Sequence, residues 1–196
     1  TTLGHLSALP ALGSKEDAII LDIQVHSSVQ MAAALVKGNG THVEVARHND
    51  MKRLERRVAK LAERHPQVWY MADGVYSMFG DLAPNAAVVE LMNRYPTMRY
   101  YVDDAHGMSW CGPRGSGTVL AEVDLHPRMV LEKGLSTGLG TGGGVIVRPE
   151  EGQRQRVHRF GLTMVFSVPL QPPILGAVIE AAKIHLSPEI ETLQGD

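Results

Sequence analysis

The sequence predicts an α/β protein, a three-layer α/β/α sandwich around a mostly parallel sheet. Short apolar runs of the kind that form buried strands recur along the chain. Between them lie segments with apolar residues at helical spacing, and strands separated by such helices indicate βαβ units. The crossover helices of these units cover both faces of a parallel sheet. No internal repeat or linker interrupts the pattern, which favours a single domain.

The pattern assigns strands and helices in chain order. A buried strand is predicted at 18–21, and further strands are predicted at 43–45, 68–71, 99–102, 128–131 and 145–147. Helices are predicted at 26–37, from 51 to about 64, from 84 to before 96, and from about 174 to 185. We expect Gly38 to cap the first helix at its C-terminus. Asn49 or Asp50 should cap the second helix at its N-terminus, and Pro84 should open the third.

Composition excludes several classes of protein. Hydrophobic residues make up 44% and charged residues 20% of the 196 residues, which is typical of a globular chain. A net charge of −2 and an aromatic content of 5% argue against nucleic-acid partners. The single cysteine, Cys111, excludes a disulfide framework. No apolar run reaches the roughly 18 residues of a membrane span, so we expect a cytoplasmic protein.

The chain begins Thr1-Thr2-Leu3 without an initiator methionine, and both ends run straight into patterned sequence. These features predict that residues 1–196 are part of a longer polypeptide.

Polar residues crowd the positions that follow four predicted strands. Ligands of parallel α/β sheets bind beyond the carboxyl ends of the strands. Those positions hold acids, histidines and hydroxyls, at 22–26, 73–77, 103–106 and 132–137. Four such exits on one sheet edge favour a ligand site.

The segment Asp103-Asp104-Ala105-His106-Gly107 follows a strand directly. A carboxylate at a strand end can keep a ring nitrogen protonated, and a histidine three residues later can bond another ring substituent. A helix N-cap followed by a surface histidine is the alternative interpretation. The loop 72–81, with two acids, a serine and two glycines, is likewise either a ligand loop or an ordinary connection.

Three other patterns carry less weight. Residues 138–143 have the spacing G-x-G-x-x-G but precede a strand, the wrong context for a dinucleotide site. His42 and His48 flank a strand without a paired helical histidine, so no metal site is expected. Cys111 has no base at motif spacing and is interpreted as a small packing residue.

Together these segments resemble the pyridoxal-phosphate enzymes of aminotransferase fold type I, and most closely the α-oxoamine synthases. The matching stretches, in family order, are 22–28, 47–50, 73–78, 80–84, 102–107 and 166–167. They cover most of the chain and correspond to the core of the large domain. The family's N-terminal segment and C-terminal small domain have no counterpart in residues 1–196.

The resemblance implies roles for individual residues. His26 would stack on the pyridine ring, and Asp103 would pair with the protonated ring nitrogen. His106 would hydrogen-bond the ring's 3-oxygen, with Ser77 nearby, and would be a catalytic position. Asp73 matches a polar position in the same wall.

The departures from the family pattern fall on the groups that hold the cofactor. The family's Thr-Leu-Ser-Lys-Ala-Leu-Gly segment is here Gly134-Leu135-Ser136-Thr137-Gly138-Leu139-Gly140, so Thr137 stands at the position of the Schiff-base lysine. Ser136 remains among the cofactor-binding positions, whereas Gly134 replaces a phosphate-binding threonine. Val168 replaces another hydroxyl, and placing Lys133 at the lysine position would need a four-residue shift. A threonine cannot form an imine.

The resemblance implies a pyridoxal-phosphate-dependent transferase that condenses an acyl thioester with an amino acid and releases CO₂. The alternative is a non-catalytic partner subunit that lacks the lysine and pairs with a catalytic chain. Either a homodimer or a heterodimer is expected, with 166–170 near the subunit boundary.

Overall fold

The computed structural model describes residues 1–167 and 170–195 and shows a six-stranded sheet between two layers of helices. The strands are β1 (Ala18–Asp22), β2 (His42–Ala46), β3 (Val68–Asp73), β4 (Met98–Asp103), β5 (Met129–Gly134) and β6 (Gly144–Val147). Their order in the sheet is β2-β1-β3-β4-β5-β6. The pairs from β2 to β5 are parallel, and β6 runs antiparallel to β5. The predicted mostly parallel α/β architecture is confirmed.

The helices cover both faces of the sheet. They are α1 (Thr2–Leu12), α2 (Ser27–Gly38), α3 (Met51–Ala62), α4 (Asn85–Arg94), α5 (Thr118–Glu122), α6 (Leu135–Leu139), α7 (Glu151–Phe160), α8 (Leu162–Phe166), α9 (Pro172–His185) and α10 (Glu189–Gly195). A short 3-10 turn spans Pro113–Gly115. Within the described ranges, no helix is both long and apolar enough to cross a membrane.

Each face of the sheet has its own apolar core. Successive residues of a strand point to opposite faces, so Tyr100 packs with α3, α4 and α5 while Tyr101 packs with α1, α2 and α7. The amphipathic pattern of α3 explains its place. Leu54, Val58 and Leu61 are buried on one stripe, and Asp50 accepts a hydrogen bond from the Arg53 amide at 3.0 Å as the N-cap.

Two local expectations were wrong or incomplete. Gly38 does not cap α2, because the helix runs through it and Asn39 is the C-cap. The left-handed turn falls two residues later, at Gly40 with φ of 99°. The sequence pattern also missed α1. Six of its residues are buried, and a helix enclosed on most sides shows no polar face for periodicity to detect.

Strands β3 and β5 run further than their apolar cores indicated. β5 continues through Gly134, so Glu132 and Lys133 lie inside a strand and not in an exit loop as expected. Both side chains are buried. The apolar run that predicts β5 ends at Leu131, before the charged residue Glu132. The backbone hydrogen bonds to β4 and β6 continue beyond it, and therefore the strand is longer than the run.

Candidate active site

The carboxyl ends of β1, β3 and β4 bring three aspartates to one edge of the sheet. Asp22, Asp73 and Asp103 are the last residues of these strands, and Asp73 lies in register beside Asp103. All three are buried. Buried carboxylates need hydrogen-bond partners, and each of the three has histidine or backbone donors directed at it.

His26 and Asp73 form one wall of the site. The His26 amide donates to both carboxylate oxygens of Asp73, at 3.1 and 2.9 Å. The His26 ring caps α2, with Nδ1 accepting from the Ser28 amide at 3.3 Å. Burial, and then the charge of Asp103, raises the pKa of Asp73 to about 8. His26, Asp73 and exposed Ser77 line a cavity of about 350 Å³, called here the smaller cavity.

Asp103 is held from the protein interior by a histidine that sequence reasoning did not select. Nε2 of His5 donates to Asp103 Oδ2 at 2.8 Å, and the Ala105 amide donates to Oδ1 at 3.0 Å. Nδ1 of His5 lies 2.6 Å from Glu132 and 2.8 Å from the Tyr101 hydroxyl. Its position in α1, which has no amphipathic pattern, left no local signal.

His5, Tyr101, Asp103 and Glu132 form a cluster of buried polar side chains, called here the His5 cluster. The contacts within it keep Asp103 ionised. Burial lowers the pKa of His5, but its hydrogen bonds to Asp103 and Glu132 outweigh burial and raise that pKa to about 9. For the carboxyl group of Asp103, burial acts in the opposite direction and raises the pKa. The hydrogen bond and charge of His5 outweigh burial and hold the pKa of Asp103 below its ordinary value. Asp103 is therefore an ionised carboxylate at neutral pH.

His106 and Thr137 line a different cavity. It has a volume of about 510 Å³ and is called here the larger cavity. His106 is exposed at its mouth, and Thr137 Oγ1 donates to the Ala105 carbonyl at 2.7 Å. Ser136 is exposed in the first turn of α6. Five of the predicted residues are thus divided between two cavities, and neither lining includes Asp103 or Ser136.

Lys133 points away from Asp103. Its ammonium donates to Asp104 Oδ2 at 3.0 Å and to the Ser116 carbonyl at 2.5 Å. Its neighbour in β5, Glu132, contacts His5 and Tyr101 on the other face of the sheet. The alternation of the strand thus separates Lys133 from the Asp103 carboxylate.

A second histidine, His48, ties the loop after β3 to the edge of the sheet. Its Nδ1 lies 2.9 Å from Asp22 Oδ1, and its Nε2 contacts Asp81. The ring packs edge-on against Tyr76 with centroids 4.4 Å apart. Since the same loop supplies Ser77 to the smaller cavity, the His48 bridge holds one wall of that cavity in place.

The His48 bridge should weaken as pH rises. Burial lowers the pKa of His48, but hydrogen bonds to Asp22 and Asp81 outweigh it and raise the pKa above its ordinary value. A raised pKa means that the bridge is complete below the unfolded value of about 6.5 and is lost as pH rises through the folded value. Hydrogen-exchange protection factors of 75–82 should therefore fall with rising pH. His48→Gln should remove that dependence and leave 51–62 unchanged; a pH-independent wild-type loop would contradict the bridge.

The other sequence patterns have ordinary structural roles. Residues 138–143 run from α6 into the turn before β6, outside any strand-to-helix phosphate loop. Across the described ranges, no group of three or more His, Cys, Asp or Glu side chains is placed to hold a metal ion. Val168, and with it part of the expected boundary segment 166–170, lies outside the described residues.

Comparison with known proteins identifies the family. The family profile for aminotransferase class I and II matches residues 3–195. An 8-amino-7-oxononanoate synthase of Alkaliphilus metalliredigens is 36% identical over 184 residues, covering 93% of this chain and 45% of that protein. One from Fervidobacterium nodosum is 35% identical over 189 residues, covering 93% and 46%. The chain thus spans about half the length of the curated relatives it matches.

Solved structures agree. Serine palmitoyltransferase of Sphingomonas wittichii superposes with a TM-score of 0.81 at 27% identity, covering 94% of this chain and 45% of that chain. The S. paucimobilis enzyme with a bound PLP–myriocin aldimine superposes with a TM-score of 0.84 at 24% identity, covering 96% and 47%, and shows the fold alone. The chain therefore belongs to the aminotransferase class I and II family, within the α-oxoamine synthases of pyridoxal-phosphate fold type I.

Pyridoxal phosphate is the cofactor of this family. The residues of this chain fit recognition of the cofactor's ring but do not fit its covalent attachment. Ionised Asp103 suits a protonated ring nitrogen, because each of its oxygens retains a lone pair beyond the bonds from His5 and Ala105. The covalent attachment does not fit. Thr137 has no amine, and the ammonium of Lys133 is committed to Asp104 on the opposite face.

Proposed function

We propose that this chain is a subunit of an α-oxoamine synthase that lacks the Schiff-base lysine and serves as the non-catalytic partner of a chain that supplies it. The observation that carries the proposal is the pairing of Lys133 with Asp104 on the face of the sheet opposite Asp103. The family resemblance assigns the position of the Schiff-base lysine to Thr137. By family resemblance, the assembly acts on an amino acid and an acyl thioester.

The features that the chain retains suit a partner subunit. By family resemblance, His26, Asp73 and Asp103 would form the wall that recognises the ring without a covalent bond, and Asp73 lies beside Asp103 and bonds the His26 amide. An apolar run on α7 and α8 is exposed, including Phe160, Leu162 and Phe166 at 67, 62 and 82%. Exposed apolar patches of this kind mark protein–protein contacts, which supports a dimer at this end of the chain. A cytoplasmic location stays a prediction of the sequence.

The position of the missing lysine can be tested by restoring it. Thr137→Lys should give a pyridoxal-phosphate adduct that borohydride fixes on the introduced lysine, because Thr137 faces the larger cavity. The wild-type chain should give no fixed adduct and only weak binding that dialysis removes. Mass spectrometry of the reduced protein provides the measurement. Thr141→Lys, seven residues beyond Gly134 at the end of β5 and outside both cavities, is the matched control and should remain unmodified.

A borohydride-fixed adduct on Lys133 of the wild-type chain would overturn the proposal. It would instead support the second candidate, a catalytic synthase that uses a shifted lysine.

The partner role itself is tested by co-expression with an α-oxoamine synthase chain that carries the Schiff-base lysine. Condensation of an acyl thioester with an amino acid should require both chains, whereas activity of this chain alone would contradict a partner role.

A further inference from the structure

A serine and a histidine outside the cofactor wall meet at the larger cavity. Ser109 lies in the loop after β4, and His185 is the last residue of α9. Their Oγ and Nε2 atoms are 2.9 Å apart, although 76 residues separate them in the chain. This separation is within hydrogen-bond reach, as required of a nucleophile and its general base.

A third group orients the histidine. Nδ1 of His185 lies 2.9 Å from the carbonyl oxygen of Arg114. A carbonyl can only accept, so Nδ1 carries a proton, and in the neutral ring Nε2 is the acceptor. The Ser109 hydroxyl donates to the Gly138 carbonyl at 2.6 Å. Rotation about its Cβ–Oγ bond would redirect this single proton from the carbonyl to Nε2 without moving a heavy atom.

The backbone at Ser109 is unusual for a serine. Its φ of 68° lies in the left-handed region, which is uncommon for residues other than glycine and concentrates at functional sites. Nucleophilic serines of one large enzyme class occupy similar sharp turns that expose Oγ. Gly115 gives the pair its space, because a Cβ there would lie 2.7 Å from Cε1 of His185 and 2.9 Å from Cα of Ser109.

The cavity at this pair has a mixed lining, in which polar and apolar surface are about equal. Its volume of about 510 Å³ falls within the range of about 300–1,000 Å³ for small-molecule sites. Met108, Trp110, Leu139, Ile184 and Leu193 contribute to the lining. In the part of the chain that the structure describes, no lysine or arginine lines it, so it suits a neutral aliphatic group better than a phosphate.

We propose that Ser109 and His185 form an acyl-transfer site for thioesters or esters of aliphatic acids, independent of pyridoxal phosphate. Oγ of Ser109 bonds to the acyl carbon as its proton moves to Nε2, and the carbon–sulfur bond of a thioester breaks. The proton passes from Nε2 to the leaving thiolate. Water then bonds to the acyl carbon, giving a proton to Nε2; the carbon–Oγ bond breaks, and Oγ regains that proton. The products are a thiol and a carboxylic acid.

The full chain, without pyridoxal phosphate or amino acid, is treated with a fluorophosphonate probe. The tryptic peptide 100–114 should carry the label, and Ser109 is the single serine in it. Hydrolysis of S-butyryl-N-acetylcysteamine, followed by released thiol, should stop in Ser109→Gly and fall about 10²–10⁴-fold in His185→Gln. Glycine accepts the backbone angle of residue 109, so Ser109→Gly isolates loss of the hydroxyl.

Ser14→Ala and His158→Gln are the matched controls, because both residues are exposed and neither lines the larger cavity. Both variants should retain the wild-type rate. Label on another peptide, or an unchanged rate in folded Ser109→Gly, would overturn the assignment. Because the assay lacks the cofactor, its outcome is separate from that of the partner role.

Discussion

His5→Gln is expected to lower the free energy of unfolding by about 3–5 kcal/mol, the usual cost of breaking a buried ion pair by removing one partner. His5 is fully buried, and its two ring nitrogens serve Asp103 and Glu132. Glutamine carries no charge, so both carboxylates would lose the cation between them. Urea denaturation of the wild type and variant provides the measurement. His158→Gln, on the exposed side of α7, should change stability by less than about 0.5 kcal/mol.

The same substitution should change how stability depends on pH. The folded pKa of His5 is about 9 against an ordinary value of 6.5, so the folded state binds the extra proton. Its contribution, about 3 kcal/mol, is present below pH 6.5 and is lost as pH rises through 9. The pKa of Asp73, raised to about 8, also makes stability fall with rising pH, and Asp73 is present in both proteins.

The difference between the two proteins therefore reports on His5. Unfolding free energies should fall between pH 8 and 9 in the wild-type protein, and the fall should be smaller in His5→Gln. Parallel curves for the two proteins would show that His5 is not the titrating group. Asp103 would then owe its ionisation to another donor.

Lys133→Met is expected to destabilise the fold by about 3–5 kcal/mol, because it leaves the carboxylate of Asp104 buried without its cation. Asp104 is fully buried and also accepts from the Thr118 hydroxyl at 2.5 Å. Asp104→Asn retains an acceptor for Thr118 while removing the charge. Combined with Lys133→Met it should therefore cost less than the sum of the two single substitutions.

This double-substitution cycle also separates structure from catalysis at Lys133. A structural lysine predicts strong non-additivity in unfolding free energy and the same reversible pyridoxal-phosphate binding in wild type and folded double variant. Additive stability effects would contradict the ion pair. Loss of a covalent adduct together with the lysine would instead assign Lys133 to the cofactor.

The sequence determined the sheet because its signals are local. Val68 to Met71 and the apolar runs of β1, β4 and β5 bury on both faces, as the central strands of a parallel sheet require. The helix α3 could also be predicted from the sequence, because its signals lie within one segment. Asp50 caps its N-terminus, and Leu54, Val58 and Leu61 form its buried stripe. The place of the aspartates at the strand ends followed from chain order alone.

Only the tertiary structure decided which partners those aspartates have. Asp103 pairs with His5 across 98 positions, and Ser109 meets His185 across 76. Such contacts depend on how α1 and α9 pack, which no local pattern encodes. The partner of Lys133 was likewise decided by the tertiary structure. The number of residues before it in β5 sets the face that it occupies, and the charge of Asp104 on that face holds its ammonium away from the cavities.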